Sequence, residues 1–404
     1  MSDVAVQPLS QLVLDMNESA TIKMAQMARD LKSKGNDVID LSLGEPDFDT
    51  PEHIKEAAKQ ALDAGFTKYT PVPGLVELRQ AIVHKFKRDN GLDFAMNQIV
   101  VSNGAKQTIA NLCLAILDEG DEAILFAPYW VSYAEIVRMC GGVPVEVGAG
   151  VEQDFKVTAD QVAAAITDRT KVVLFSSPCN PTGSVYGKEE LEAIAAVIAP
   201  HEQIVIISDE IYEYINFTGS HASIGAVESV KHRTVTVNGF AKGFAMTGWR
   251  LGYMGGPVYL AAACAKIQGQ FTSGANAFSQ KAAAYALEAD LAPTWKMRDE
   301  FLRRRNIVVE LVSQIPGFVV NNPAGAFYVF PDISYYFGKT DGNVTIRTAD
   351  DFCEFLLLNA HVGTVGGDSF GAPDCFRISY AASEENLRKA IGRIAEAVGK
   401  LKTA

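Results

Sequence analysis

The sequence predicts an α/β fold built on a mostly parallel, helix-covered sheet of seven strands, and three observations point there. Short runs rich in Val and Ile alternate with helical patterns from about residue 98 to 256, the arrangement that demands crossover connections and hence parallel strands. Most of the runs are apolar throughout rather than alternating, as strands covered on both faces are. Several runs end in short loops of Gly, Pro, Asn or ionisable residues, and in open α/β sheets the loops at the carboxyl ends of strands build the ligand site.

In chain order, Ser19 stands where an N-cap belongs before a helix over Thr21–Leu31, and Gly35 separates it from a strand over Val38–Leu43. Thr50-Pro51 offers a cap and a first turn of fixed φ to a helix over Glu52–Ala64, which Gly65 stops. The seven strands are Ile99–Ser102, Glu122–Phe126, Val143–Val147, Lys171–Ser176, Ile204–Ser208, Thr234–Asn238 and Leu251–Gly255. Between them, Lys188–Ala199 puts Leu191, Ile194, Ala195 and Ile198 on one helical face. Beyond about residue 300 come a helix around Glu300–Ser313, a strand over Ala326–Phe330, a helix over Ala349–Leu358, strands near Val362 and over Phe376–Tyr380, and a final helix over Glu384–Leu401. Two domains are expected: 49–299, carrying the large sheet, and a smaller α/β domain made of 1–48 with 300–404.

Composition narrows the function. The 404 residues are 48% hydrophobic and 21% charged, as in folded globular chains. A net charge of −12 and a pI near 5.1 disfavour nucleic acid and anionic membrane as partners; an anionic small substrate then needs locally placed Arg or Lys. The six cysteines are scattered without a CxxC pair, so reduced, mostly buried thiols and no metal site are expected. Met1 to Gln11 has no basic segment leading into an apolar stretch, and no apolar run of about 18 residues occurs, so a soluble, cytoplasmic protein is expected. Gly148-Ala149-Gly150 continues into Val151-Glu152-Gln153 and lacks the third glycine of a dinucleotide loop. There is no Walker loop and no G-x-S-x-G, and the six histidines have no obvious acidic partner. Lysine chemistry remains.

The polar loops are Gly104-Ala105-Lys106 after the first strand, Pro128-Tyr129-Trp130 after the second, Asn180-Pro181-Thr182-Gly183 after the fourth, Asp209-Glu210-Ile211-Tyr212 after the fifth and Ala241-Lys242 after the sixth. They are expected to converge on one sheet edge. Asn103–Lys106 has the form of a glycine turn entering a helix, whose unpaired N–H groups suit a phosphate.

The stretch Asn238-Gly239-Phe240-Ala241-Lys242-Gly243-Phe244-Ala245-Met246-Thr247-Gly248-Trp249-Arg250 resembles the cofactor-lysine region of class I pyridoxal-phosphate-dependent aminotransferases. Gly44-Glu45-Pro46-Asp47, Lys68-Tyr69-Thr70-Pro71, Ser177-Pro178-Cys179-Asn180-Pro181-Thr182-Gly183, Ser208-Asp209-Glu210-Ile211-Tyr212 and Phe376-Arg377-Ile378-Ser379 extend the resemblance in the family's order over essentially the whole chain. Ser19-Ala20-Thr21 and Gly104-Ala105-Lys106-Gln107 make it most similar to the bacterial branch of aspartate and prephenate aminotransferases. The resemblance implies the fold of type I pyridoxal-phosphate transferases, pyridoxal 5′-phosphate as cofactor, amino-acid and 2-oxo-acid substrates, and a homodimer with shared active sites.

It also implies roles. Lys242 attaches the cofactor and then moves the proton; Asp209 holds the ring nitrogen protonated; Tyr212 and Asn180 bond the ring's phenolic oxygen; Trp130 stacks on the ring. Arg250, with the N–H groups of Ala105 and Lys106 after Gly104, and Tyr69 from a second subunit, holds the phosphate; Arg377 pairs with the substrate α-carboxylate beside Gly44. The chain departs from many relatives in having Gly239 and Ala241 where serines help grip the phosphate. Between Lys266 and Lys281 it also lacks the arginine that one branch lends to the substrate's distal carboxylate, which leaves Lys106, with Ser19, Thr21 and Ser273, as the expected replacement. Aromatic substrates, another reaction of the same cofactor such as β-elimination, and a non-catalytic ligand sensor are the alternatives.

Overall fold

The computed structural model describes residues 8–403. The first seven residues of the Met1–Gln11 stretch read above for a leader lie outside them. Seven strands form one sheet: β1 (Ile99–Ser102), β2 (Glu122–Ala127), β3 (Val143–Gly148), β4 (Thr170–Ser176), β5 (Val205–Asp209), β6 (Thr234–Gly239) and β7 (Gly252–Gly255). Their spatial order is β1-β7-β6-β5-β4-β2-β3. From β3 to β6 all neighbours are parallel, whereas β7 is antiparallel to both β6 and β1. The carboxyl ends of β1, β2, β4, β5 and β6 therefore share one edge, and the reversed β7 starts from that same edge.

Successive residues of the inner strands feed two cores. Leu125, Leu174 and Ile207 pack with Ile109, Leu112 and Val137 on one face. Ile124, Phe126, Val173, Phe175 and Ile206 pack with Leu191, Ile194 and Ile198 on the other. Both faces are dry, hence the unbroken apolar runs. The exception is β3, an edge strand whose Val143 is 43% exposed. Its Pro144 and Glu146 suit an edge, where a missing N–H is tolerated and a charge blocks further pairing.

A separate cluster joins Met24, Ala28, Val38, Ile39 and Leu41 to Phe301, Val308, Phe327, Phe352, Leu356, Ile378 and Ile394, with Tyr212 and Ile215 at its border. Here Ile39–Asp40 pairs in parallel with Val362–Gly363, and Phe376–Ser379 pairs antiparallel with Val365–Gly366 and Tyr328–Val329.

Several boundaries differ from the sequence reading. Thr50 does not cap the helix Glu52–Asp63; Pro51 holds that position, while Thr50 Oγ1 donates to the Ala245 carbonyl at 2.6 Å and accepts from Trp249 Nε1 at 3.0 Å. The threonine is recruited by a distant loop, which local spacing cannot reveal. Ser19 occupies the N-cap of Ala20–Ser33 without a side-chain cap bond. Gly65 stops its helix at φ 78° as expected. The helix expected at Glu300–Ser313 begins earlier, at Ala292, with Pro293 in its first turn. Three histidines do meet carboxylates: His84 with Glu288, His221 with Glu210 and His232 with Glu202. All six cysteines are free. Among the described residues no helix is long and apolar enough to cross a membrane.

Candidate active site

A cavity of about 350 Å³ opens at the shared strand edge. Ser19, Thr21, Gly44, Gly104, Ala105, Lys106, Trp130, Asn180, Asp209, Tyr212, Lys242, Arg250 and Arg377 all line it, drawn together from both ends of the chain. Tyr69 does not line it and is 97% exposed.

One end of the cavity is an anion cradle. After β1 the chain turns through Gly104 at φ 91° into the helix Ala105–Ile116. A Cβ on Gly104 would lie 2.5 Å from Arg250 Nη2, so only glycine lets the guanidinium close on the turn. The N–H groups at the start of that helix have no intrahelical partner and carry the positive end of its dipole. Arg250 donates only to carbonyls, Thr247 O at 2.9 Å and Asn103 O at 3.4 Å, and meets no carboxylate among the described residues. Two sources of positive potential thus converge where no protein anion answers them.

Lys242 follows β6 and donates through Nζ to the Gly44 carbonyl. Burial, aided by the positive charge of Arg377, brings its amine down to about 8 against the opposing carboxylates of Glu45 and Asp209. About a tenth of it is then neutral at pH 7, far more than of a solvated lysine, and the neutral amine is the nucleophile and base.

Asp209 ends β5 and is 4% exposed. Its Oδ2 accepts from Tyr133 Oη at 2.6 Å and its Oδ1 from the Ile211 N–H at 3.2 Å. Burial raises the carboxyl to about 6; those two bonds pull it down, and Glu210 pushes it further up while Lys242 opposes. At neutral pH it is mainly a carboxylate held in a dry site, suited to face a cation.

Arg377, on Phe376–Ser379, is 2% exposed. It donates to Asn180 Oδ1 at 2.9 Å and to the Ser42 carbonyl at 2.6 Å, and its guanidinium lies 4.6 Å from the Tyr328 ring centre. Its buried Nε has no partner. A desolvated guanidinium without a carboxylate is costly unless a ligand anion completes it. Asn180 spends its oxygen on Arg377, which leaves its amide N–H groups to donate. Tyr212 and Tyr328 share a hydrogen bond at 2.8 Å, and a Cβ on Gly44 would meet Tyr328 Oη at 2.5 Å. Lys106 stands 4.9 Å from the Trp130 ring centre; burial and then Arg250 lower its ammonium.

Sequence reasoning missed Tyr133 and Tyr328. Tyr133 was within reach, since it lies in the first turn of the helix that follows the loop supplying Trp130. Tyr328 comes from a remote strand and carries no local signal. The departure at position 239 now has a steric reason: a Cβ there would lie 2.9 Å from the Leu251 carbonyl and 3.0 Å from Gly252 Cα and Ile211 Cδ1, so β6 and β7 approach too closely for serine.

Known proteins resemble this chain over nearly its whole length. The family described as aminotransferase class I and II matches residues 36–394. The chain is 46% identical to the aspartate/prephenate aminotransferase of Cereibacter sphaeroides over 96% of its own length and 97% of the relative's. It is 45% identical to the bifunctional aspartate aminotransferase and glutamate/aspartate-prephenate aminotransferase of Petunia hybrida, over 98% and 83%. The crystal structure of the aspartate aminotransferase from Rhizobium meliloti superposes with a TM-score of 0.94 at 42% identity, covering 98% of this chain and all (100%) of that one. The aspartate aminotransferase of Thermus thermophilus with maleate gives 0.91 at 44%, covering 97% and 100%.

Proposed function

Because the chain belongs to the class I and II aminotransferases, we propose that it carries pyridoxal 5′-phosphate on Lys242 and moves the amino group of aspartate, with prephenate or glutamate as further partners, to and from 2-oxo acids such as 2-oxoglutarate and oxaloacetate. The observation that carries the reading is a single cavity holding a lysine amine lowered to about 8 together with two guanidiniums, Arg250 and Arg377, that meet no carboxylate among the described residues.

The cradle of Gly104, Ala105, Lys106 and Arg250 fits a phosphate, and buried Asp209 fits a protonated ring nitrogen. When bound, the cofactor supplies an aldehyde that takes up the amino group and a ring that withdraws electrons from the substrate Cα. Lys242 attaches it and, once displaced, carries the proton at the substrate Cα. Asp209 keeps the ring nitrogen protonated, with Tyr133 fixing the carboxylate. Tyr212 and Asn180 would hold the phenolic oxygen by hydrogen bonds, and Trp130 would help hold the ring. Arg377 takes the α-carboxylate beside the Gly44 backbone. Lys106, with Ser19 and Thr21, receives the distal carboxylate; in support, the Thermus thermophilus relative is described with maleate, a dicarboxylate. Residues 1–48 with 300–404 act as one domain against 49–299; their cluster also takes in Met297, Tyr212 and Ile215, and the helix Ala292–Val312 crosses the boundary. The working unit is a homodimer of the cytoplasm, with Tyr69 completing the partner's cradle.

Single-turnover absorbance spectra over a panel of amino donors test the reaction. Aspartate alone is expected to convert the bound cofactor fully to its amine form; release of a β-elimination or decarboxylation product instead overturns the reading. Lys106→Met separates substrate from phosphate. Lys106 is exposed without substrate, so its pair with a distal carboxylate forms only on binding; losing the ammonium should lower kcat/KM for aspartate or prephenate at least about tenfold while an uncharged aromatic donor is spared. Equal losses on both assign Lys106 to the phosphate.

A further inference from the structure

Beneath the loop that carries Asp209 and Tyr212 lies a buried group of charges that the reaction leaves unused. Asp209 and Tyr212 line the cavity, whereas Glu210 and Glu213, 1% and 7% exposed, bond elsewhere. Glu210 Oε1 accepts from Ser208 Oγ at 3.0 Å and Ser223 Oγ at 2.6 Å. Its Oε2 accepts from Asn90 Nδ2 at 3.2 Å and faces His221 Nε2 at 2.7 Å. Glu213 accepts from Asn90 Nδ2 at 2.8 Å and pairs with the ammonium of Lys85, which also donates to Asn90 Oδ1 at 2.6 Å. Lys85 is wholly buried between the rings of Phe86 and Tyr214.

Charge decides how this group can exist. Glu210 and Glu213 are two buried carboxylates, Lys85 supplies one positive charge, and Ser208, Ser223 and Asn90 supply none. With both carboxylates ionised and Lys85 an ammonium, the group is neutral when His221, its side chain 8% exposed, is an imidazolium. Burial opposes that proton, but the charge and hydrogen bond of Glu210 and the charge of Glu213 outweigh burial and the repulsion of Lys85, and the imidazole is raised above its ordinary value. The next charges, Asp89 and Arg88, pair with each other, and Asp89 also takes the Tyr214 hydroxyl at 2.5 Å. The ligand atoms of Glu210, Glu213 and His221 lie within 4.8 Å of one another, as around a metal ion, but the ammonium of Lys85 already supplies that cation. The group is coupled to the site, because the charge of Glu210 acts against ionisation of Asp209.

Resting on the cofactor reading above, we propose that Lys85, Asn90, Glu210, Glu213 and His221 form a charge-balanced anchor that positions Asp209 and Tyr212, with His221 the positioning residue whose positive charge offsets Glu210. The anchor holds the loop from the side away from the substrate, so it sets both where the Asp209 carboxylate stands and the potential around it.

Two readouts test this. In the unliganded protein, the one imidazole C2 proton resonance lost in His221→Gln should titrate above the ordinary midpoint of about 6.5 in the parent protein. An ordinary or lower midpoint overturns the proposal. In the holoenzyme, His221→Gln removes a positive charge, so the pH midpoint of the bound chromophore should move up by about half a unit. kcat should fall about tenfold with KM within about twofold. The double variant His221→Gln/Glu210→Gln restores the charge balance and should return the midpoint towards the parent value. An unmoved midpoint, or a double variant no closer to the parent, reduces His221 to packing. If the parent protein binds no pyridoxal phosphate, the cofactor reading fails while the imidazole titration still judges the anchor.

Discussion

Asp209 and Lys242 are displaced in opposite directions from their ordinary values by the same burial, and each displacement has a measurable sign. Lys242 titrates near 8 in the folded chain against 10.5 for a free lysine, so its protonated form is the one folding disfavours. The rate at which unliganded protein captures pyridoxal phosphate should therefore rise with pH and level off above about 8; stopped-flow absorbance reads it, and a plateau only near 10.5 would mean a solvated amine. Asp209 is raised to about 6 from 3.8, so its stabilising contribution is complete below 3.8 and lost as pH rises through 6. Asp209→Asn should then leave the thermal midpoint of unliganded protein at pH 7.5 unchanged or higher, while turnover falls about a hundredfold or more because the ring nitrogen loses its carboxylate. Near-normal turnover would put the needed carboxylate elsewhere.

Between elements, the turn from β1 into Ala105–Ile116 is the least tolerant junction. At φ 91° and ψ 159° Gly104 lies in a backbone region essentially closed to other residues, and its missing Cβ is where Arg250 packs. Gly104→Ala should weaken pyridoxal phosphate binding at least about tenfold while leaving binding of pyridoxal, which lacks the phosphate, nearly unchanged; equilibrium titration of both compounds decides, and equal losses would mean general collapse of the turn. The strands themselves were legible in the sequence because burial on both faces leaves runs such as 172–175 apolar without interruption. Strand direction was not, since the reversal of β7 depends on which neighbours it meets. Nor was the true partner of Thr50, nor the meeting of His221 and Lys85 with Glu210 and Glu213, because these contacts bring together residues far apart in the chain or spaced without any repeat. Several of the residues that line the cavity were legible for a different reason: they stand in loops at strand ends, where a lysine, an aspartate or an Asn-Pro turn stands out against apolar flanks.

At the scale of the whole molecule, Tyr69 is the residue a single chain does not explain. It is 97% exposed, yet it is not on a loose loop. Its neighbour Thr70 donates to the Ala275 carbonyl at 3.2 Å and accepts from Gln280 at 3.0 Å, tying the segment to the 270–276 stretch, where Phe271 is 69% exposed. A held surface bearing two solvated aromatic rings fits the proposed homodimer. Sedimentation at working concentration should give a dimer, and Tyr69→Phe should weaken phosphate binding in the dimer without dissociating it; a fully active monomer removes Tyr69 from the site. The reversed strand has a final consequence. Because β7 starts from the edge at which β6 ends, Lys242 and Arg250 belong to one loop whose two ends are clamped by adjacent hydrogen-bonded strands. That loop is a ruler: it fixes the span between the Lys242 amine and the Arg250 guanidinium, which in the proposed reading take the aldehyde and the phosphate. Ligands whose tether between ring and phosphate is longer or shorter by one carbon should be refused, however well their rings fit.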